Sequence, residues 1–310
     1  MKFIKIFFTS IILIVSSCVE SPKEKASSGD ESSTIEGFWR RTGMVRYVNG
    51  KPVDTLYYSS DAKEMNSSEN FVQIKAFGDG GIFWMNNSKE PSTPWKGSTG
   101  GYGKYKTEKD TIIESISHGT GAFGQYMAYL KDSLNTTSFP FKFGYEISEN
   151  NYVQKYQPDE EGISFAEFYE KLPVLQNSKM DGAWKRSYQI TFVNGVAVDT
   201  TSVPSDAILD VKIIKDGYFL FQVDRTKLIG DPSKPEYGGT GGFGQIDYSN
   251  GNMIEYTEIG SGNWLLDTLP KSIAHYASIE FYDDDTFLQI TKDTLNQMSI
   301  GRGLVYRRIQ

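Results

Sequence analysis

The chain has 310 residues, 38% hydrophobic and 14% aromatic, with 32 basic and 39 acidic side chains and a formal net charge of −7. That balance argues against nucleic acid and against adsorption to anionic membrane surfaces, since both need clustered Lys or Arg. Cys18 is the only cysteine, which excludes an intramolecular disulfide and a thiolate zinc site.

The first element is a targeting segment over residues 1–17. Lys2 and Lys5 form a short basic region, and Ile4 to Val15 is an apolar run broken only by Lys5, Thr9 and Ser10. It is too short, and too abruptly followed by polar chain, to remain as a membrane span. It ends in Val15-Ser16-Ser17-Cys18, which resembles the lipobox of bacterial lipoproteins. The resemblance implies cleavage before Cys18 and acylation there; the plainer alternative is a secretory signal with an incidental cysteine. Several acyl chains anchor stably where one is marginal. Val19 resembles the residue that follows the cysteine in lipoproteins sent on to the outer membrane. Removal of residues 1–17 leaves 30 basic against 39 acidic groups, a net charge of −9.

Residues 18–35 read as a flexible tether. From Glu20 to Thr34 come only Ser, Thr, Lys, Glu, Asp, Pro and Gly types with an isolated Ala, without apolar periodicity.

The rest is written twice, over 36–172 and 181–310, with a short linker at 173–180 that predicts contact between the halves. Glu36-Gly37-Phe38-Trp39-Arg40-Arg41 recurs as Asp181-Gly182-Ala183-Trp184-Lys185-Arg186. Val48-Asn49-Gly50 recurs as Val193-Asn194-Gly195, and Thr99-Gly100-Gly101-Tyr102-Gly103 as Thr240-Gly241-Gly242-Phe243-Gly244. The offset drifts between 145 and 137, as expected when loops vary and strands do not. The copies are predicted to superpose, Trp39 on Trp184 and Glu114 on Glu255.

Within each copy the pattern is strand after strand. Trp39, Arg41, Gly43, Val45 and Tyr47 alternate with Arg40, Thr42, Met44, Arg46 and Val48. Asn-Gly at 49–50 and 194–195 is a strong hairpin signal, because a type I′ turn needs positive φ at both central residues. Asp79-Gly80 and Asp216-Gly217 mark a second hairpin. Two more strand pairs follow, and a last strand closes each copy. Ile163–Leu172 and Ser272–Ala277 have a short-helix alternative, though the repeat favours a strand for the first. About eight short strands in ~130 residues predict an all-β chain of two tandem antiparallel eight-stranded barrels, whose interiors are filled by side chains or hold one small ligand.

The opening Gly-x-Trp-[Lys/Arg], the Asn-Gly hairpin about ten residues on, the Gly-Gly-x-Gly before a strand and a Glu five residues before a Gly resemble the lipocalin-like domains of bacterial outer-membrane lipoproteins. The resemblance implies a calycin-type barrel with Trp39 and Trp184 at its closed end, often a binder of small apolar molecules.

Candidate chemistry is sparse. Glu114 and Glu255 are equivalent and flanked by apolar neighbours, so they are expected to point inward; Arg41 and Arg186 share the Trp face. They read as internal Arg–Glu pairs, as polar anchors for a ligand or, least readily, as catalytic acids. His118 aligns with Ile259 and so does not recur. The Gly97–Lys104 segment lacks the spacing of a phosphate loop and reads as a bulge entering a strand. Asp283-Asp284-Asp285 lacks the Gly and distal Glu of a calcium loop. No catalytic residue, metal or cofactor is expected. Asp54, Asp110, Asp132, Asp199, Asp267 and Asp293, each followed by Thr or Ser, read as hairpin-end chemistry or as glycan acceptors.

The sequence thus predicts a membrane-anchored, non-enzymatic lipoprotein holding a small apolar or amphipathic ligand. The alternative is a structural or interaction protein with filled barrels.

Overall fold

The computed structural model describes residues 34–58, 72–86, 99–134, 136–204, 208–231, 238–261, 273–291 and 300–309. The signal segment, Cys18, the tether up to residue 33, Trp95, Asp267 and Asp293 lie outside the described residues.

Alternating polarity between turn signals makes strands, and the turns fix their order. The first sheet comprises β1 (Gly37–Val48), β2 (Lys51–Tyr57), β3 (Gln73–Gly78), β4 (Gly81–Asn86), β5 (Thr99–Glu108), β6 (Thr111–Thr120), β7 (Phe139–Ile147), β8 (Asn151–Lys155) and β9 (Ile163–Lys171), with helix α1 (Gly121–Leu134) between β6 and β7. The second comprises β10 (Gly182–Val193), β11 (Val196–Ser202), β12 (Leu209–Lys215), β13 (Tyr218–Asp224), β14 (Thr240–Ser249), β15 (Asn252–Ser261), β16 (Ile273–Asp283), β17 (Thr286–Thr291) and β18 (Ile300–Arg308), with helix α2 (Thr226–Ile229) after β13. Neighbours pair antiparallel throughout. β1 closes on β9 and β10 on β18, giving two closed eight-stranded barrels. The ninth strand of each sheet extends the wall: β1 pairs with β3 over residues 37–40 and with β2 over residues 43–48. Both segments with a helix alternative are strands, β9 and β16.

Tight turns gather at one end of each barrel. Asp79-Gly80 and Asp216-Gly217 join β3 to β4 and β12 to β13, with φ of +49°, +70°, +57° and +85°. Asn250-Gly251 makes the β14–β15 turn in the same way. The Asn49-Gly50 turn lies at the opposite end, beside the β8–β9 connection, where the Asn49 N–H donates to the Gly162 carbonyl. The Gly-Gly-x-Gly segments enter β5 and β14 through bulges, at Tyr102/Gly103 and Phe243/Gly244. Glycine is required because a Cβ at Gly103 would strike the Ser115 carbonyl, and one at Gly244 the Tyr256 carbonyl.

Helix α1 has no sequence forecast. Phe123 and Met127, spaced i and i+4, turn toward the barrel; the Phe123 ring lies 5.1 Å from Trp84. Gly121 and Gly124 weaken the helical signal. Gly124 is needed there, because a Cβ would meet the Gly238 carbonyl of the second barrel.

The halves touch through a core of their own. β3 and β12 are buried on both faces. Ile74, Ala76, Phe83 and Tyr102 of the first barrel pack with Val211, Ile213, Leu220 and Phe243 of the second. These are equivalent positions, so each barrel offers the same patch to the other. The Phe38 ring lies 5.7 Å from Tyr218 and 5.8 Å from Phe243. Polar contacts ring this core: Gln222 Nε2 donates to the carbonyls of Trp84 and Gly101, the Ala183 N–H donates to Asp79, and Lys215 pairs with Glu36.

His118 lies beside this seam, its ring 6.2 Å from Tyr102. Burial, and then Lys131 with more distant Lys185 and Lys227 against Asp224, lowers its pKa to about 4. The unfolded chain therefore takes up a proton first as pH falls. Stability from the neutral ring is complete above the ordinary histidine pKa of ~6.5 and is lost as pH falls from there to about 4. The loss is at most about 3 kcal/mol. His118→Ile, which installs the residue of the second copy, is expected to remove that part of the pH dependence in melts at pH 7.5 and 4.5. Equal acid sensitivity in variant and wild type would overturn this assignment.

Candidate functional site

The floor of each barrel is an aromatic plug. Trp39 and Trp184 are fully buried, and each indole donates to a carbonyl four residues back, Ile35 O at 2.7 Å and Met180 O at 2.8 Å. A cation caps each ring: Lys171 lies 5.4 Å from Trp39 and Arg308 4.3 Å from Trp184. Tyr152 packs edge-on to Trp39 at 5.8 Å and to Phe77 at 5.9 Å. Phe287 takes the place of Tyr152 in the second barrel, 4.7 Å from Trp184.

A layer of charge lies above that plug. Strand alternation sends Gln73, Lys75 and Phe77 of β3 inward and Ile74 and Ala76 outward to the seam. β12 does the same with Asp210, Lys212 and Ile214. Arg41, Glu114, Arg186 and Glu255 are all buried, as their pattern predicted, but each has another partner. Lys75 Nζ binds Glu114 at 2.7 Å, and Lys212 Nζ binds Glu255. Arg41 pairs with Glu167 at 3.0 Å and donates to Gln73 at 3.0 Å. Arg186 pairs with Asp210 at 3.2 Å. The predicted Arg41–Glu114 and Arg186–Glu255 pairs are therefore corrected. The reason is register: β1 sets Lys75 opposite Trp39, one step nearer the tight-turn end than Arg41, and that is the level Glu114 reaches.

The layer is cross-linked. Gln154 accepts from Lys75 at 2.6 Å and from the Tyr152 hydroxyl at 2.7 Å. Tyr169 donates to Glu167 at 2.6 Å and accepts from Gln73 at 2.8 Å. In the second barrel Gln289 accepts from Lys212 at 3.2 Å, and the Tyr306 hydroxyl reaches Asp210 at 3.5 Å. Burial raises the Glu114 and Asp210 carboxyls, against the pull of Lys75 and of Arg186 respectively. Burial, then nearby carboxylates, pushes Tyr169 and Tyr306 well above the phenol range. Burial acts to lower Arg41, yet Glu167 and its neighbours hold that guanidinium above its ordinary value. Each interior thus holds two cations against two anions.

Lys75, Lys212, Glu167, Asp210, Gln154 and Gln289 had no place in the sequence reading. A signal for the lysines existed: each recurs at the same offset inside an otherwise buried strand, Gln73–Gly78 and Leu209–Lys215. Asp283-Asp284-Asp285 enters an exposed hairpin turn, where Asp284 meets Lys179 and Asp285 meets Arg308. Among the described residues no cluster of His, Cys, Asp and Glu has the makings of a metal site.

The chain is an all-β protein of two closed eight-stranded antiparallel barrels. No protein-family model and no curated protein matches it. Several solved structures resemble it, among them two of unknown function. One is the uncharacterized protein YLR301w from Saccharomyces cerevisiae, at 10% identity and a TM-score of 0.36, covering 88% of this chain and 98% of that one. The other is a protein of unknown function from the DUF3598 family of Nostoc punctiforme, at 8% identity and a TM-score of 0.23, covering 89% and 96%.

Proposed function

We propose that this chain is a lipid-anchored, non-enzymatic binding protein of the outer membrane. Two lipocalin-like barrels stand on a tether from acylated Cys18 and bind through their outer surface. The observation that carries this reading is the content of the barrels. Trp39, Phe77, Tyr152 and their counterparts occupy the space that an apolar ligand would need, and paired charges fill the layer above. Such a ligand would have to displace ion pairs whose separation is costly. The same pairing speaks against acid–base catalysis, since each of these interior carboxylates is engaged by its own cation. Labelling with palmitate tests the anchor: label is expected on the wild type and not on Cys18→Ala. Label that persists on the variant would overturn the lipoprotein reading.

A second reading keeps a small polar ligand inside the first barrel. It is favoured by Gln154, 1% exposed, whose Nε2 has no hydrogen-bond partner among the described residues. A stoichiometric companion in native mass spectra, lost with Gln154→Leu, would decide for it.

A further inference from the structure

We propose that the outer wall of the second barrel carries a cleft that binds a small organic anion through a phosphate or carboxylate group. The inference rests on the reading of this protein as one that binds through its surface. The cleft measures about 440 Å³, within the range of small-molecule sites. It opens where β10 changes partner from β12 to β11, at a bulge between Arg186 and Tyr188. Lys185, Arg186, Arg307 and Arg308 line it, and among the described residues no carboxylate does.

Charge placement makes this cleft unlike its counterpart. Lys185 and Arg307 lie directly opposite each other on β10 and β18. Like charges in that relation repel. In the first barrel the equivalent pair is Arg40 and Glu170, which attract. Arg308 is matched by Asp79 at 3.4 Å and Asp285 at 3.1 Å, so the excess positive charge rests on Lys185 and Arg307. Arg186 borders the cleft from the interior side, where it is paired with Asp210; it is 7% exposed, and its Nε has no hydrogen-bond partner among the described residues.

Space is the second difference. Tyr58 and Val203 are equivalent, each donating its N–H to the matching residue of the first strand, Thr42 or Ser187, at 2.9 Å. The Tyr58 ring covers Arg41 at 5.3 Å. Val203 is too short to do the same for Arg186, and it lines the cleft instead. Among the described residues, the first barrel covers and neutralises this place, while the second leaves it open and cationic. Guanidinium groups suit phosphate and carboxylate because their donors match two oxygens at once.

The test uses the full-length chain in neutral detergent at low salt, titrated calorimetrically with pyrophosphate and with citrate. The wild type is expected to bind at one site. Arg307→Glu restores the charge pattern of the first barrel at an exposed position and is expected to weaken binding about tenfold or more. Val203→Tyr fills the cleft without changing charge and is expected to abolish binding. Melting curves confirm that both variants are folded. A parallel arm offers vesicles with and without phosphatidylglycerol. Capture by the anionic vesicles alone, lost in Arg307→Glu, identifies the phosphate as a lipid headgroup rather than a soluble anion. Absence of binding to any probe, or binding untouched by both variants, overturns the cleft. That failure would leave the palmitate result, and the anchored reading, standing.

Discussion

Replacing Lys212 by methionine is expected to destabilise the second barrel by about 3–5 kcal/mol, because it strands the buried Glu255 carboxylate without its cation. That is a large part of the ~5–15 kcal/mol that holds a domain together. Glu255→Gln added to Lys212→Met should recover part of the loss, since no charge is then left unpaired. Lys75 and Glu114 are expected to behave alike in the first barrel. The pairing also makes a crossed test. Arg186→Ala should be relieved by Asp210→Asn and not by Glu255→Gln, since Arg186 bonds to Asp210 at 3.2 Å and Lys212 holds Glu255. Denaturant melts of the single and double variants provide the measurement. Shifts below ~1 kcal/mol for Lys212→Met, the scale of exposed pairs, would refute a buried structural pair.

Phe38→Ala is the second large effect, expected at about 3–5 kcal/mol. Phe38 is 1% exposed and belongs to the first barrel, but its ring rests on Tyr218 and Phe243 of the second. The loss should therefore be felt across the seam. Calorimetry of the wild type is expected to show one cooperative transition for both barrels, and Phe38→Ala to split it or broaden it. Two well-separated transitions in the wild type would mean that the shared core does not couple the halves.

Much of this architecture was legible in the sequence because it is written in local chemistry. Asn49-Gly50 and Asp79-Gly80 specify turns by their φ, and Gly103 and Gly244 specify bulges by the absence of a Cβ. Period-two alternation correctly placed Arg41, Glu114, Arg186 and Glu255 inside. It did not give their partners, because alternation tells which face a residue takes and not how high in the barrel it stands. Height follows from strand register, and the bulge between Arg41 and Gly43 shifts that register within a single strand. The short linker pointed to contact between the halves but not to the residues that make it. Ile74, Ala76, Val211 and Ile213 face out of their barrel walls, and only the tertiary arrangement brings another wall against them. Helix α1 was masked by its own glycines.

The movement of one acid between strands bears on how two barrels of the same topology avoid exchanging pieces during folding, a hazard of repeated domains. In the first barrel Arg41 finds its acid on β9, at Glu167, while β3 offers Gln73. In the second Arg186 finds it on β12, at Asp210, and the β18 position matching Glu167 is Leu304. A first barrel closed by β18 would hold Arg41 between Gln73 and Leu304, with no acid to meet it. A second barrel closed by β9 would crowd Glu167 against Asp210 beside one guanidinium. Both swapped assemblies bury an unbalanced charge, so the two copies can share a fold without sharing strands.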